Sequence, residues 1–302
     1  MAKKQRKKKK QVRRNVKDRL FRYLFEKDRK ALLQLYNALH GTDYQDDSQL
    51  EIVTIKSVVY VVMKNDLAFV MTGVLNIYEH QSTYNPNLPV RFLIYLAQEY
   101  QMVIQKAQQS LYGTVQITLP TPQCIVFYNG TKGMPEEEIL RLSDAFENRT
   151  VRPDIELTVR VININCGHNG ALMERCRTLA EYSEFVGVTR EFMAGADHAK
   201  TALSDAVDYC IENGILAEFL EKNRAEVLGM LLEEFDAEKY ERTLRSEGKE
   251  EGIEEQREDG IRYMIEVLQE SGQSVDYVKA KLKEKYSLSE GEAQEKQQLY
   301  WK

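Results

Sequence analysis

Lys64–Pro89 reads KNDLAFVMTGVLNIYEHQSTYNPNLP, two runs rich in Val, Ile, Leu, Phe and Tyr separated by Thr72-Gly73. Branched and aromatic residues suit a pleated, half-buried surface, and a short Gly-containing break between two such runs signals a β-hairpin. With Thr72 and Gly73 as a two-residue loop, Met71 pairs with Val74, and continuing the ladder sets Asp66 opposite Glu79. A four-residue loop with the same centre gives the same register. Directly opposed residues share a face, with Cβ atoms ~4.5–5.5 Å apart, and the strand's period of two returns Gln81 to the face of Glu79. One face of the expected hairpin therefore carries Asp66, Glu79 and Gln81, while His80 points the other way and packs.

Two like charges opposed across a ladder destabilise it unless positive charge lies between them, and carboxylate pairs are ligands of Mg²⁺ or Ca²⁺. Asp66 and Glu79 are thus candidate metal ligands, for Mg²⁺ or alternatively Mn²⁺ or Ca²⁺. The plain structural alternative is that Asp66 closes a turn after Asn65 and Glu79 is a solvated strand residue. Context favours a site, because the polar trio lies inside apolar strands, where an unpaired carboxylate costs several kcal/mol.

These residues also carry a resemblance. Asp followed by Glu-x-Gln on adjacent strands, within KNDLAFVM…LNIYEHQSTYNPNLPVRFLIY and before LPTPQCIVFYNGT, resembles the PD-(D/E)XK nuclease family transposases, or recombination-promoting nucleases. The likeness spans roughly residues 15–236. It implies an α/β, restriction-endonuclease-like mixed sheet flanked by helices, divalent-metal-dependent cleavage of DNA, and a link to recombination or mobile elements. By position it makes Asp66 and Glu79 the catalytic metal ligands and sets Gln81 where the wider superfamily has Lys. Gln offers hydrogen bonds but no positive charge beside the attacked phosphate.

The first fourteen residues, MAKKQRKKKKQVRR, contain nine Lys or Arg and no acid; the formal net charge is −5, so the rest of the chain carries −14. Residues 1–14 read as a disordered basic tail, with Lys7, Lys8, Lys9, Lys10, Arg13 and Arg14 as DNA contacts through counterion release, or as a solubilising extension. From Asn15, apolar residues at helical spacing predict a helix over NVKDRLFRYLFEKD. Asp18 in its first turn is an auxiliary acid for the metal site or a partner of the helix dipole. A second helix is predicted over Arg29–Leu39, then a short strand, a turn near Lys56-Ser57 and a strand Val58–Met63 leading into the hairpin.

Asn85-Pro-Asn-Leu-Pro89 cannot be a central strand and opens a helix expected from Val90 to about Tyr112. Arg91 in its first turn either contacts DNA or holds the Asn-Pro loop through carbonyls. Cys124–Tyr128 is apolar throughout, as a buried parallel strand is, and ends at Asn129-Gly130, so Tyr128 and Asn129 are further site candidates. A loop and short helix around Leu140–Phe146 and a strand over Ile155–Asn165 complete a core of residues 15–170. A helical extension of residues 171–246 is divided into Leu172–Val186, Val188–Ala194, Ala199–Asn213 and Ile215–Phe235. Glu247–Gly260, with seven acids and three glycines, reads as a charged linker. Residues 261–302 read as a C-terminal module of three short helices that docks or self-associates.

At 302 residues, 43% hydrophobic and 29% charged, the chain is large enough for one substantial core, and no run approaches the ~18 apolar residues of a membrane span. Four scattered cysteines without C-x-x-C spacing indicate neither zinc nor a disulfide framework and point to a reducing cytoplasm. The expected partners are DNA and, through the C-terminal helices, a second copy of the chain.

Overall fold

The computed structural model describes residues 19–53 and 67–301, apart from the side chains of residues 237–248, 250, 251 and 255. Its strands are β1 (Glu51–Ile52), β2 (Leu67–Met71), β3 (Val74–Gln81), β4 (Thr121–Tyr128), β5 (Glu137–Arg141) and β6 (Thr158–Asn163). They form one sheet in the order β1-β2-β3-β4-β6-β5. β3, β4 and β6 run parallel, and β1, β2 and β5 are joined antiparallel, so the sheet is mixed. The hairpin forms as the sequence predicts: Met71 pairs with Val74 and Leu67 with Tyr78. Thr72 (φ 48°) and Gly73 (φ 77°) are both left-handed, the geometry that matches the twist of the flanking strands.

The helices are α1 (Arg19–Lys27), α2 (Arg29–His40), α3 (Leu88–Lys106), α4 (Gly170–Arg175), α5 (Arg177–Met193), α6 (Ala199–Glu212), α7 (Ala217–Glu270, interrupted at Asn223), α8 (Val275–Tyr286) and α9 (Glu290–Tyr300). α2 starts where the Asp28 carboxylate accepts from the Ala31 N–H and stops at Gly41 in the left-handed conformation. Helices cover both faces of the sheet. On one side α1, α2, α5 and α6 bury Phe21, Phe25, Leu32, Phe185 and Val207 against Phe69, Tyr78 and Phe127. On the other, α3 lays Leu88, Phe92 and Tyr95 over Leu75, Ile77, Val126 and Val161. Since α5 and α6 belong to this layer, residues 171–212 form part of the sheet's own core.

Several predicted boundaries move. α3 ends at Lys106, short of Tyr112, because no apolar face continues past Ile104 and Gln108 turns left-handed (φ 53°), leaving Leu111 and Tyr112 exposed. The stretch around Leu140 is strand β5 followed by a 3-10 turn at Leu142–Ala145, instead of loop and helix. Gly187 does not break its helix; the break falls at Cys176, and a Cβ at 187 would lie 3.2 Å from Cys166 Sγ. The strand predicted over Val58–Met63 lies outside the described residues.

The chain divides into two compact units, at Ala237 and Glu238 in the sequence. In the second, Ile261, Ile265, Val278, Leu282 and Ala293 form a small core. Glu258 bonds Lys296 and Tyr300, Arg257 donates to the Tyr286 carbonyl, and a Cβ on Gly260 would meet the Tyr286 hydroxyl at 2.7 Å. Residues 257–260, expected as a solvated linker, are thus packed into the C-terminal module, and the glycine at 260 permits close approach of a ring.

Candidate functional site

The parallel strands bring Gln81, Tyr128 and Asn163 side by side at their carboxyl ends. Two residues back, Glu79 lies beside Val126 on the face covered by α3, because Leu75, Ile77, Glu79 and Gln81 alternate onto that side. Glu79 is 2% exposed and Gln81 9%. Gln81 Nε2 donates to Glu79 Oε2 at 3.2 Å, so the shared face expected of these two residues is present. His80 points to the opposite face, where its ring stacks on Phe21 and its Nε2 lies 3.2 Å from the Tyr182 hydroxyl.

The charge of Glu79 is met from α3. Asn85 Oδ1 accepts from the Asn87 N–H and Pro89 fits the first turn, so the helix begins beside the carboxyl end of β3. Arg91 Nη2 then lies 3.2 Å from Glu79 Oε1 and 3.1 Å from Oε2. One turn on, the Tyr95 hydroxyl accepts from Arg91 Nη2 at 3.0 Å and Nε at 3.3 Å. Arg91 thus forms an ion pair with a buried acid, a contact that neither of its two expected roles named. Arg91 keeps 29% of its side chain exposed, so it forms the solvent side of the cluster. Tyr95 was not singled out in the sequence, although its i, i+4 spacing from Arg91 places the two on one helix face.

Burial, and then the negative charge of Glu79, push the Tyr95 phenol far above its ordinary range. The same two causes push the Cys124 thiol up to about 12. Both groups stay protonated at neutral pH, and neither is a nucleophile in this setting.

Tyr128 and Asn129, expected as accessory residues, sit beside Gln81; the Tyr128 hydroxyl and the Asn129 backbone are committed locally, while the buried Asn129 Oδ1 has no hydrogen-bond partner among the described residues. The Tyr128 hydroxyl donates to the Lys132 carbonyl at 2.8 Å. Asn129 N–H donates to the Gln81 carbonyl at 3.0 Å, and its own carbonyl accepts from Arg190, whose other branch donates to Asn165 Oδ1 at 3.1 Å. Arg190 is a polar anchor at this edge that the sequence reading did not single out. Asp66, Asp18 and the basic residues Lys7–Lys10, Arg13 and Arg14 lie outside the described residues. The described register, with Leu67 opposite Tyr78, is nonetheless the one from which Asp66 was placed across from Glu79.

Hard oxygen donors are what Mg²⁺, Mn²⁺ and Ca²⁺ take. Glu79 and the Gln81 amide oxygen fit in kind, on one face and at one strand end. Among the described residues, however, no group of three or more His, Cys, Asp or Glu gathers to hold a metal. A cation here would need a further acid, the place given to Asp66. All four cysteines are free thiols, with Cys166 exposed. Comparison with protein-family models, with curated proteins and with solved structures returned no match.

Proposed function

We propose that this chain is a divalent-metal-dependent DNA endonuclease of the PD-(D/E)XK type, linked to recombination or mobile elements. The observation that supports it most is the buried carboxylate of Glu79, sharing a face with Gln81 at the open end of a mixed α/β sheet, in a sequence whose YEHQST-NPN-P-R and VFYNG runs resemble that family. Asp66 and Glu79 would hold Mg²⁺ or Mn²⁺, which when bound supplies an activated water and positive charge at the scissile phosphate. Gln81 orients the attacking water through its amide. Arg91, partly exposed, offers a planar donor set matched to phosphate oxygens, and the basic tail adds non-specific affinity for the duplex.

Supercoiled plasmid incubated with the purified protein and Mg²⁺ or Mn²⁺ tests this reading. Asp66→Ala and Glu79→Ala are each expected to abolish nicking while leaving tail-mediated DNA binding intact. Gln81→Lys, which places a cation beside the attacked phosphate, should preserve or raise cleavage. Wild-type protein that is inert with every divalent ion and indistinguishable from Asp66→Ala overturns the nuclease reading.

The second reading is a catalytically inactive DNA-binding or oligomeric scaffold protein. It draws on the Arg91–Glu79 pair, which already neutralises the site's acid, and on Ile253, Tyr263 and Leu299, exposed in the C-terminal unit where a second copy could bind. No helix among the described residues is long and apolar enough to cross a membrane.

A further inference from the structure

The side of α2 that the core does not use lines a cleft. Lys30, Leu33, Gln34, Asn37 and Ala38 recur at three- and four-residue spacing, opposite the buried Leu32, Leu35 and Tyr36. Together with the loop of residues 42–45 and Arg175 at the end of α4, they line a space of about 550 Å³, within the range of roughly 300–1,000 Å³ in which small-molecule sites fall.

The cleft is pre-formed. Its loop is built around the Asn37 side chain, whose amide donates to the Tyr44 carbonyl at 2.8 Å and whose Oδ1 accepts from the Thr42 hydroxyl at 2.9 Å and the Tyr44 N–H at 3.0 Å. Arg175 Nη2 reaches the same loop from α4, at 3.4 Å from the Asn37 carbonyl and 3.3 Å from that of Thr42. A loop held in this way loses little freedom when a ligand arrives.

What the lining leaves unspent is a set of donors. The Asn37 Oδ1 is taken up by the loop itself, and Asp43, the one acid in the lining, accepts from Gln45 Nε2 at 2.9 Å. The Lys30 ammonium, the Gln34 amide and the Tyr44 hydroxyl have no hydrogen-bond partner among the described residues, and the Arg175 guanidinium uses only Nη2. Neither cation has a carboxylate partner. Lys30 lies two helical turns, ~10.5 Å, before Asn37, where the guanidinium stands, and the flexible four-carbon stem of a lysine can lean along that distance. Two such cations in one cleft suit an anion with several oxygens. The rest of the lining suits a flat apolar body: Leu33 and Ala38 form the floor, and Tyr44 is 36% exposed, its ring propped against that of Tyr36 at a centroid distance of 6.0 Å.

From these donors and this ring we infer that the cleft binds a planar ring carrying a phosphate, the chemistry of a nucleoside monophosphate, with the phosphate between Lys30 and Arg175 and the ring on Tyr44. The site involves neither Glu79 nor a metal, so it stands or falls independently of the nuclease reading.

Calorimetric titration of the full chain with adenosine 5′-monophosphate, adenosine and inorganic phosphate tests this. A charge-assisted hydrogen bond and a stacked base are each worth about a tenfold factor or more, so the nucleotide should bind at least about tenfold more tightly than either of its parts. Lys30→Met and Arg175→Met should each weaken the nucleotide about tenfold and leave adenosine unchanged. Tyr44→Ala should weaken nucleotide and adenosine about tenfold and leave phosphate unchanged. Should Arg175→Met loosen the loop it braces, Lys30→Met carries the test, because Lys30 bonds to nothing in the fold. The nucleotide should raise the melting temperature of wild type more than that of Lys30→Met at the same concentration. Absence of nucleotide binding, an affinity for adenosine or phosphate equal to that for the nucleotide, or nucleotide binding unchanged in Lys30→Met overturns the inference, whether or not the protein nicks DNA.

Discussion

The two faces of β3 solve the problem of buried polarity in different ways. Towards the several-helix layer it presents Asn76, Tyr78 and His80, which pair with neutral partners: His40 Nε2 lies 3.1 Å from Asn76 Oδ1, and the Tyr182 hydroxyl 3.2 Å from His80. Towards the single helix α3 it presents Leu75, Ile77, Glu79 and Gln81, where the polarity is an ion pair at the strand's open end. Neutral pairs can be enclosed on all sides at modest cost, but a charge needs its counter-charge and is cheapest where water is near. The face with one covering helix has such an edge. The lesson is that the thin side of the sheet is where an ionic site can exist.

The largest test of this division uses adjacent residues of β4 that point to opposite layers. Phe127 packs among Phe21 and Tyr78 on the several-helix side, at ring-centroid distances of 5.0 and 5.5 Å. Phe127→Ala should destabilise the protein by about 3–5 kcal/mol in denaturant unfolding. Val126→Ala, facing α3, removes less buried surface and should cost about 2 kcal/mol. Equal losses would break the idea that stability is concentrated on the thicker side.

Within the thinner side, the ion pair should respond asymmetrically. Arg91→Ala strands a carboxylate that is 2% exposed, and loss of one partner of a buried pair costs about 3–5 kcal/mol; the partial exposure of Arg91 places the expectation near the lower end. Glu79→Gln keeps the shape, and the freed guanidinium can turn to water, so about 1 kcal/mol is expected, the net worth of a hydrogen bond. Matching losses in the two variants would mean that the pair is no more buried on one side than on the other.

How far these features could be read from the sequence follows from the range of the forces behind them. The hairpin was legible because turn chemistry and a period of two are local, and the same period assigned Glu79 and Gln81 to one face and His80 to the other. The pairing of Arg91 with Glu79 was not, since twelve residues and a loop of two prolines separate them and only the docking of α3 decides which carbonyl or carboxylate its first turn meets. β5 was missed because Glu137, Glu138 and Arg141 give an edge strand the look of a helix or loop; charges are what an edge strand carries to discourage further pairing. Gly187 reads as a break between helices and Gly260 as part of a charged linker, because a sequence does not distinguish a glycine that loosens the chain from one that lets Cys166 or Tyr286 come close.

The smallest expected effect concerns the neutral polarity of the thicker side, and pH is the probe. His40 is half-buried, its ring tilted 32° against the Tyr36 ring at a centroid distance of 4.3 Å, and bonded to Asn76. Burial holds its imidazole below the ordinary value of 6.5; the Asn76 bond opposes that shift and the charge of Arg160 adds to it. Above pH 6.5 the imidazole is neutral in both folded and unfolded chains, and its contribution to stability is complete. As the pH falls below 6.5 the unfolded chain takes up the proton first, so stability drops until the pH has passed the folded-state value, by about 1.4 kcal/mol for each unit separating the two. Denaturant midpoints measured downward from pH 7 should therefore fall in wild type and fall less in His40→Gln, which cannot be protonated. The same series in Glu79→Gln should keep the wild-type slope just below pH 6.5, because His40 lies in the other layer and its environment is untouched. A slope that survives His40→Gln unchanged would show that the buried polarity on this side is not neutral at all, and with that the contrast between the two faces would lose its basis.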